Sequence, residues 1–309
     1  MPDTATIAPT SGPGAAPAAS GRAPARTRRR NRPANLLATA PLLAFAAVFF
    51  GLPLLAVLVG AFTTTDRATG ATAFTTGNLT RSVQGAYRDA MVSSIGLSLT
   101  TAAIGVVLGT LLAQAVVASR LPGLRNLVVT ASGVLANFGG VPLAFAFIAT
   151  LGISGVVTES LHLTGAGWNL YTPTGLGVVY LYFLIPLMVL VIAPALDGLR
   201  PQWREAAANC GATGAQYWRH VGLPVLWPSL LGGFVLLFGT AFAAYATAAA
   251  MVGSVLPLVT LQIADALSGN VLVGQEGVAS ALALDMIAVA VLVMAVYLPL
   301  QRRSARWLR

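Results

Sequence analysis

The sequence predicts an all-α membrane protein with six transmembrane helices. Hydrophobic residues make up 56% of the 309-residue chain and charged residues only 9%, whereas roughly 25% of the residues in soluble domains are charged. Six apolar stretches alternate with polar segments, and each is long enough for a helix to cross about 30 Å of hydrocarbon. Because hydrocarbon offers no water to the backbone, we expect each stretch to be helical.

The six predicted spans divide the chain into tails, loops and membrane segments. They cover residues 36–62, 90–118, 127–151, 175–195, 228–252 and 278–300. We therefore expect a disordered basic tail at 1–33, a transmembrane domain at 34–301 and a basic tail at 302–309. The N-terminal tail contains almost no large apolar residues, so it cannot form a core. Its arginines suit the anionic headgroups of membrane lipids.

The distribution of arginine predicts the orientation of the chain. The 18 basic residues are all arginine, and most fall on one side of the predicted topology. That side holds Arg22, Arg26, Arg28, Arg29, Arg30, Arg32, Arg120, Arg125, Arg200, Arg204, Arg219, Arg302, Arg303, Arg306 and Arg309. Because cytoplasmic loops are enriched in arginine, we expect a membrane protein with both termini in the cytoplasm. Arginines clustered at span ends, without one continuous basic face, also argue against nucleic-acid binding.

The segment between spans four and five (residues 197–227, the polar loop) has the capping chemistry of two short helices. Pro201 suits the first turn of a helix, and Gly211 can end that helix. Thr213 and Gln216 have the spacing of a capping box, which begins a second helix. That helix should run to about His220 or Val221 and end before Pro224.

The polar loop resembles the EAA loop of the permease subunits of type I ABC importers. The family pattern is E-A-A, three residues, G, nine residues, I, one residue and L-P. The chain fills it with Glu205, Ala206, Ala207, Gly211, Val221, Leu223 and Pro224, with valine in place of isoleucine. The resemblance covers about residues 36–301. It implies a type I ABC importer permease bundle in a bacterial plasma membrane, with a cytoplasmic coupling helix between spans four and five.

The same resemblance implies a role for each part of the motif. Glu205 would meet a basic residue of a dimeric ABC ATPase, and the two alanines after it would keep the helix slim enough for a groove. Gly211 would allow the chain to reverse. The Leu-Pro pair would fix the loop to the start of span five.

Further partners follow from the resemblance. They are a second permease subunit, either a copy or a paralogue, and an extracytoplasmic solute-binding protein. ATP and Mg²⁺ would be used by the ATPase, and this chain would bind no cofactor. A phosphate-binding loop of the form G-x-x-x-x-G-K-[ST] requires a lysine, and the chain has none. We therefore expect a transport subunit that is not itself an enzyme.

Four residues are candidates for a substrate pathway. Asp285 is a lone carboxylate in span six, which is costly in hydrocarbon and by default marks a substrate or partner contact. It could contact a cationic substrate, form a hydrogen bond with Tyr245 or Thr247 of span five, or lie close enough to the headgroups to be hydrated. Asn137 begins an N-F-G-G-V-P cluster that should weaken the helix of span three.

The expected substrate is a small polar solute. The segment before span six is similar to that of spermidine/putrescine-type permeases, a group that also serves ferric iron, thiamine and phosphonates. Asn270, Gly274, Ala279 and Ser280 fit that pattern, whereas its Trp and Pro are absent. The alternative is an ATP-independent secondary transporter or channel, which would leave the spacing in the polar loop unexplained. An integral membrane enzyme would need a cluster of polar catalytic residues, and the sequence shows none.

Overall fold

A computed structural model of the chain describes residues 40–65, 71–119, 121–268 and 275–305. The predicted tail at 1–33, residues 306–309, and Asn270 and Gly274 lie outside these residues. The chain divides into two units, Met1–Gly51 and Leu52–Arg309. In the first unit, residues 40–46 are α-helical and Ala47–Gly51 form a π-helical turn.

The second unit is built mainly from helices. Its first half contains α1 (Leu52–Ala61), α2 (Gly77–Ser82), α3 (Gly85–Ala118), α4 (Pro122–Asn137), α5 (Val141–Leu151) and α6 (Val156–Ser160). Its second half contains α7 (Pro173–Asp197), α8 (Pro201–Asn209), α9 (Gly214–Tyr217), α10 (Leu223–Phe242), α11 (Ala246–Met251), α12 (Val259–Ser268) and α13 (Glu276–Ala305). A π-helical turn, Trp218–Gly222, joins α9 to α10, and 3₁₀ turns lie at Leu163–Ala166 and Gly253–Val255. Strands β1 (Thr63–Thr65) and β2 (Thr72–Phe74) form one antiparallel hairpin.

Six helical segments among the described residues are long and apolar enough to cross a membrane. They are Ala40–Ala61, Gly85–Ala118, Val141–Ser160, Pro173–Asp197, Gly214–Phe242 and Glu276–Gln301. The predicted all-α membrane fold with six spans is therefore confirmed, and the hairpin is a small addition to it.

Helix α7 is the centre of the second unit and packs against α3, α4 and α10. Leu176, Tyr180, Leu184, Met188 and Ile192 are at most 1% exposed. They recur every four residues and so share one face of the helix. Other residues of α7 are buried on its remaining faces, as expected for a helix that is apolar all round and surrounded by others.

Glycines set the distance between α7 and its neighbours. A Cβ atom at Gly109 of α3 would lie 2.5 Å from Cβ of Met188 and 2.9 Å from the carbonyl oxygen of Ile185. A Cβ atom at Gly233 of α10 would lie 2.5 Å from Sδ of Met188. Small residues allow helices to approach closely in lipid, so these two glycines fix α3 and α10 against α7.

Span three departs from the predicted topology. In place of one helix over 127–151, the chain forms α4 and α5, which are separated by residues 138–140. Gly140 has a φ of +79°, a conformation that residues with a side chain rarely adopt. Pro142 stands in the first turn of α5. In a continuous helix its ring would clash with the carbonyl of residue 138, so the helix breaks ahead of it.

Span five also differs from the prediction of 228–252. Helix α10 begins at Leu223, and residues 243–245 separate it from α11. The expectation that the second loop helix ends before Pro224 is wrong, because Pro224 lies in the first turn of α10 and the helix continues past it. In a regular α-helix this proline would crowd the carbonyl of His220. That carbonyl belongs to the wider π-helical turn.

Three segments that the sequence presents as loops contain regular structure. Residues 63–89 include the hairpin and α2, residues 152–173 include α6, and residues 253–276 include α12. The amide of Asn78 in α2 holds the hairpin in place, since its Nδ2 donates to the carbonyl oxygens of Ala61 (3.3 Å) and Thr63 (3.0 Å). Helix α13 extends beyond span six to Ala305, into the predicted C-terminal tail.

Two glycine-to-alanine changes on α3 should have opposite effects on stability. Gly109→Ala would clash with α7, and overpacking of this kind costs about 1–3 kcal/mol. Gly96→Ala has nothing within 4 Å of the new Cβ atom, and alanine is a better helix former by about 1 kcal/mol. We expect Gly109→Ala to lower the midpoint of thermal unfolding in detergent, followed by circular dichroism, and Gly96→Ala to leave it unchanged or raise it. Equal midpoints for the two variants would contradict the close approach.

Candidate functional site

The polar loop has the two helices that its capping residues predict. Helix α8 ends at Asn209, and Gly211 follows with a φ of +75°. Thr213 Oγ1 accepts a hydrogen bond from the backbone N–H of Gln216 at 3.3 Å, and Gln216 Oε1 accepts one from the backbone N–H of Thr213 at 2.7 Å. This reciprocal pair is a capping box, so the predicted start of the second helix is confirmed.

Helix α8 has no buried residue. Glu205 and Ala206 are exposed and Ala207 is half-buried. A helix this short is marginal in water, and most helices in folded proteins gain their stability by burying one face. Helix α8 therefore presents an uncovered surface with one carboxylate and two small side chains.

A cavity of about 640 Å³ (the loop cavity) separates the polar loop from the ends of α3 and α7. It is lined by Gln114, Val117, Ala118, Leu196, Leu199, Arg200, Pro201, Arg204, Glu205, Ala208, Tyr217 and Trp218. Glu205 forms no ion pair with any residue in the described part of the chain. The carboxylate of Glu205 is therefore exposed and has no counter-charge among the described residues.

An ion pair between Arg125 and Asp197 joins the base of the polar loop to α4. The two side chains are 45% and 40% exposed, and exposed pairs stabilise by only about 0–1 kcal/mol. Asp197 ends α7, where a negative charge opposes the helix dipole. The guanidinium of Arg125 offsets that charge, so the pair mainly fixes the direction in which the loop leaves α7.

The breaks in spans three and five lie against each other, because α5 packs on α11. The backbone N–H of Gly140 donates to Thr247 Oγ1 at 2.9 Å. The hydroxyl of Tyr180 on α7 donates to the carbonyl oxygen of Ala244 at 3.1 Å. Both hydroxyl-bearing side chains are buried. A backbone group released at each break is therefore satisfied by a side chain from another helix.

A second cavity, of about 330 Å³, lies at these breaks (the helix-break cavity). It is lined by Ala136, Asn137, Gly139, Gly140, Phe183, Thr240, Ala244, Tyr245, Ala246 and Thr247. The structure thus brings together three of the four pathway candidates, Asn137, Tyr245 and Thr247. Asp285 does not line this cavity.

Of the three roles considered for Asp285, the structure does not show the hydrogen bond with Tyr245 or Thr247. Thr247 is bonded to the backbone released at Gly140, and α13 packs mainly on α1, α2, α10 and α12. The Oδ2 atom of Asp285 is buried and has no hydrogen-bond partner. Among the described residues, no group of three or more His, Cys, Asp or Glu side chains could hold a metal ion.

The sequence reasoning missed two residues near the breaks: Tyr180, which bonds the Ala244 carbonyl, and Thr240, which lines the helix-break cavity. Tyr180 stands in an apolar span, and its hydroxyl is the one signal that could have marked it. Thr240 lies four residues after Leu236, and its hydroxyl donates to the Leu236 carbonyl at 2.8 Å. The glycine-proline cluster after Asn137 does signal the first break. No proline or charge marks residues 243–245, so the second break has no comparable signal.

Several curated proteins are similar to the chain in sequence. It is 28% identical over 222 residues to the inner membrane ABC transporter permease protein YdcU of Escherichia coli K12, covering 66% of this chain and 70% of that protein. It is 41% identical over 68 residues to the sulfate transport system permease protein CysT of Salmonella typhimurium, which is 22% of this chain and 24% of that protein. It is 28% identical over 152 residues to the trehalose transport system permease protein SugB of Mycobacterium tuberculosis, which is 49% of this chain and 50% of that protein. The chain is a relative of ABC transporter permeases. No protein-family model matches it.

The permease fold is found in solved structures as well. One chain of a bacterial ABC transporter that imports the acidic polysaccharide alginate superposes with a TM-score of 0.67 and 18% identity, covering 88% of this chain and 96% of that chain. A bacterial alginate ABC transporter in complex with an alginate pentasaccharide-bound periplasmic protein gives a TM-score of 0.67 at 19% identity, covering 88% and 95%. The predicted importer-permease bundle is therefore confirmed as the fold. Helix α8 of the polar loop lies between the fourth and fifth of the helical segments that are long enough to cross a membrane.

Replacing Thr247 tests the bond between the two breaks. Thr247→Val leaves the N–H of Gly140 without an acceptor, and a buried unsatisfied group costs about 1–3 kcal/mol. Thr247→Ser keeps the hydroxyl. Thr240→Val is the matched control, because that hydroxyl lines the same cavity but bonds only within its own helix. We expect thermal unfolding to show destabilisation for Thr247→Val and little change for the other two. Equal effects of the two valine variants would contradict the bond.

Proposed function

We propose that this chain lines the solute pathway of an ATP-driven importer and receives motion from a separate ATPase subunit through the polar loop. The observation that carries this proposal is helix α8. It has no buried residue and presents Glu205 and Ala206 to the outside, in a relative of ABC transporter permeases. An exposed helix held at both ends by membrane spans is suited to dock into a groove of another subunit.

The chemistry of α8 supports an ATPase partner with a basic residue in that groove. Glu205 is exposed and forms no ion pair with a described residue, so its charge is free for such a contact. The alanines after it add little bulk. In this proposal ATP and Mg²⁺ bind to the partner, which works as a dimer, and this chain supplies no part of the ATP site.

The arginine distribution supports a cytoplasmic position for the polar loop. The loop contains three exposed arginines, Arg200, Arg204 and Arg219. Cytoplasmic loops are enriched in arginine. The loop would then face the compartment in which ATP is available. Both termini would lie on the same side of the bacterial plasma membrane.

The helix-break cavity is the proposed wall of the solute pathway. Tyr245 is 46% exposed and Asn137 is exposed as well. Polar groups in a membrane span face the interior of an assembly or a water-filled cavity in preference to lipid. A second permease subunit facing these residues would enclose the pathway, and an extracytoplasmic binding protein would deliver the solute to it.

A small polar solute fits this wall, and its recognition would rest on hydrogen bonds. The lining described above carries hydroxyl and amide groups and no charged side chain. A polyamine or ferric iron would call for carboxylates, and Asp285 stands away from this lining. The curated relatives are named for sulfate and trehalose transport, and the structural relatives for alginate import. The lining therefore favours a neutral or hydroxyl-rich solute over the cationic members of the polyamine and iron group.

Two loop variants test the proposed coupling. Gly211→Asp places a side chain at a φ of +75°, a left-handed conformation that costs roughly 1–2 kcal/mol, and disturbs the turn after α8. Glu205→Lys reverses the charge that would meet the ATPase. We expect both variants to reach the membrane in normal amounts and to abolish uptake, measured together with the cognate binding protein and ATPase.

Gly214→Asp is the matched control for Gly211→Asp. Gly214 lies in a spacer position of the motif with open space around it, and an acidic residue is favourable at the start of α9. Its uptake should stay normal. Normal uptake by both Gly211→Asp and Glu205→Lys would refute the coupling role.

A further inference from the structure

The two ends of the polar loop are attached to the membrane helices in different ways. Between α7 and α8, residues 198–200 are not helical. At the other end, the chain is helical without interruption from Gly214 through the π-helical turn to Phe242. A continuous helix moves as a rigid body, whereas a non-helical link absorbs motion as a hinge. A displacement of the loop would therefore pass into α10 and not into α7.

The first and last residues of the π-helical turn, Trp218 and Gly222, are in close contact. A Cβ atom at Gly222 would lie 2.5 Å from Cε3 and 2.9 Å from Cζ3 of the Trp218 indole. Gly222 is buried, so the ring is seated on its backbone where no other residue would fit. Trp218 also packs on the core and meets the ring of Tyr217 edge-on at 5.9 Å. These contacts hold the turn in one shape.

The far end of α10 reaches the helix-break cavity. The helix stops at Phe242, and Ala244 accepts the hydrogen bond from Tyr180. The next residue, Tyr245, lines the cavity. A shift of α10 would thus act on the cavity wall at the point where the backbone is already broken.

We propose that Trp218 and Gly222 are positioning residues that form the joint between the polar loop and α10. Motion of the loop then enters the membrane helices through α10 and reaches the helix-break cavity at residues 243–245. This inference rests on the proposed function, because it assumes that an ATPase subunit moves the polar loop. It adds the route by which that motion reaches the helix-break cavity. Wide turns of this kind recur at functional sites in helices.

The test compares solute transported with ATP hydrolysed. In the transporter assembled with its ATPase and binding protein, Gly222→Ala should displace the indole and Trp218→Ala should remove it. We expect ATP hydrolysis to continue in both, while solute transported per ATP falls, because the altered turn no longer passes motion of the loop to α10 as a rigid body. Trp218→Phe keeps an aromatic ring and should retain most of the ratio. Gly239→Ala on α10, with nothing within 4 Å of the new atom, should match the parent chain.

The outcomes separate this inference from the proposed function. If no ATPase assembles with the parent chain, the proposed function fails. If the ATPase assembles and the ratio is unchanged in both variants, the joint alone is refuted. A parallel loss of uptake and ATP hydrolysis would also refute the role of Trp218 and Gly222. Such a result indicates a folding defect, whereas the inference predicts that hydrolysis continues without transport. Trp218→Ala introduces no clash, so it gives an answer even if Gly222→Ala fails to accumulate.

Discussion

The hydrogen bonds that close two helix breaks against other helices are the constraint on which the rest of this structure depends. Backbone N–H and C=O groups that lose their helical hydrogen bonds inside a membrane cannot bond to water instead. Here Thr247 accepts from the Gly140 N–H, and Tyr180 donates to the Ala244 carbonyl. Spans three and five can therefore be interrupted at the same place without a large cost. The interruption leaves the helix-break cavity, with polar groups on its wall, inside an otherwise apolar bundle.

The polar loop and this cavity are connected by α10. One end of the helix continues the loop through the turn at Trp218, and the other end stops where the cavity begins. Along its length it lies against α7, with Gly233 at the contact with Met188. The central helix α7 is buried on most faces and connects to the loop through non-helical residues. Helix α7 is thus held by contacts on most of its faces, whereas its neighbour α10 is joined directly to the exposed polar loop.

The sequence could predict those features that depend on local chemistry. Composition predicted the six spans, and the capping residues Thr213 and Gln216 predicted the second loop helix. The features it could not predict depend on contacts between distant residues. The bond from Gly140 to Thr247 joins residues 107 positions apart, and nothing local distinguishes Thr247 from a solvent-facing or lipid-facing threonine. Pro224 suggested a helix end, because a proline normally disfavours the preceding turn. Here a π-helical turn, Trp218–Gly222, precedes Pro224, and the helix continues through the proline.

The central claim is that the polar loop contacts an ATPase, and Cys210 allows a direct measurement. It is the only cysteine of the chain and is exposed in the loop. A thiol-reactive photocrosslinker attached there, in the assembled transporter, should give an adduct with the ATPase subunit whose yield changes when ATP binds. Absence of any ATPase adduct would contradict the account. So would modification of Cys210 in intact cells by a membrane-impermeant thiol reagent added from outside.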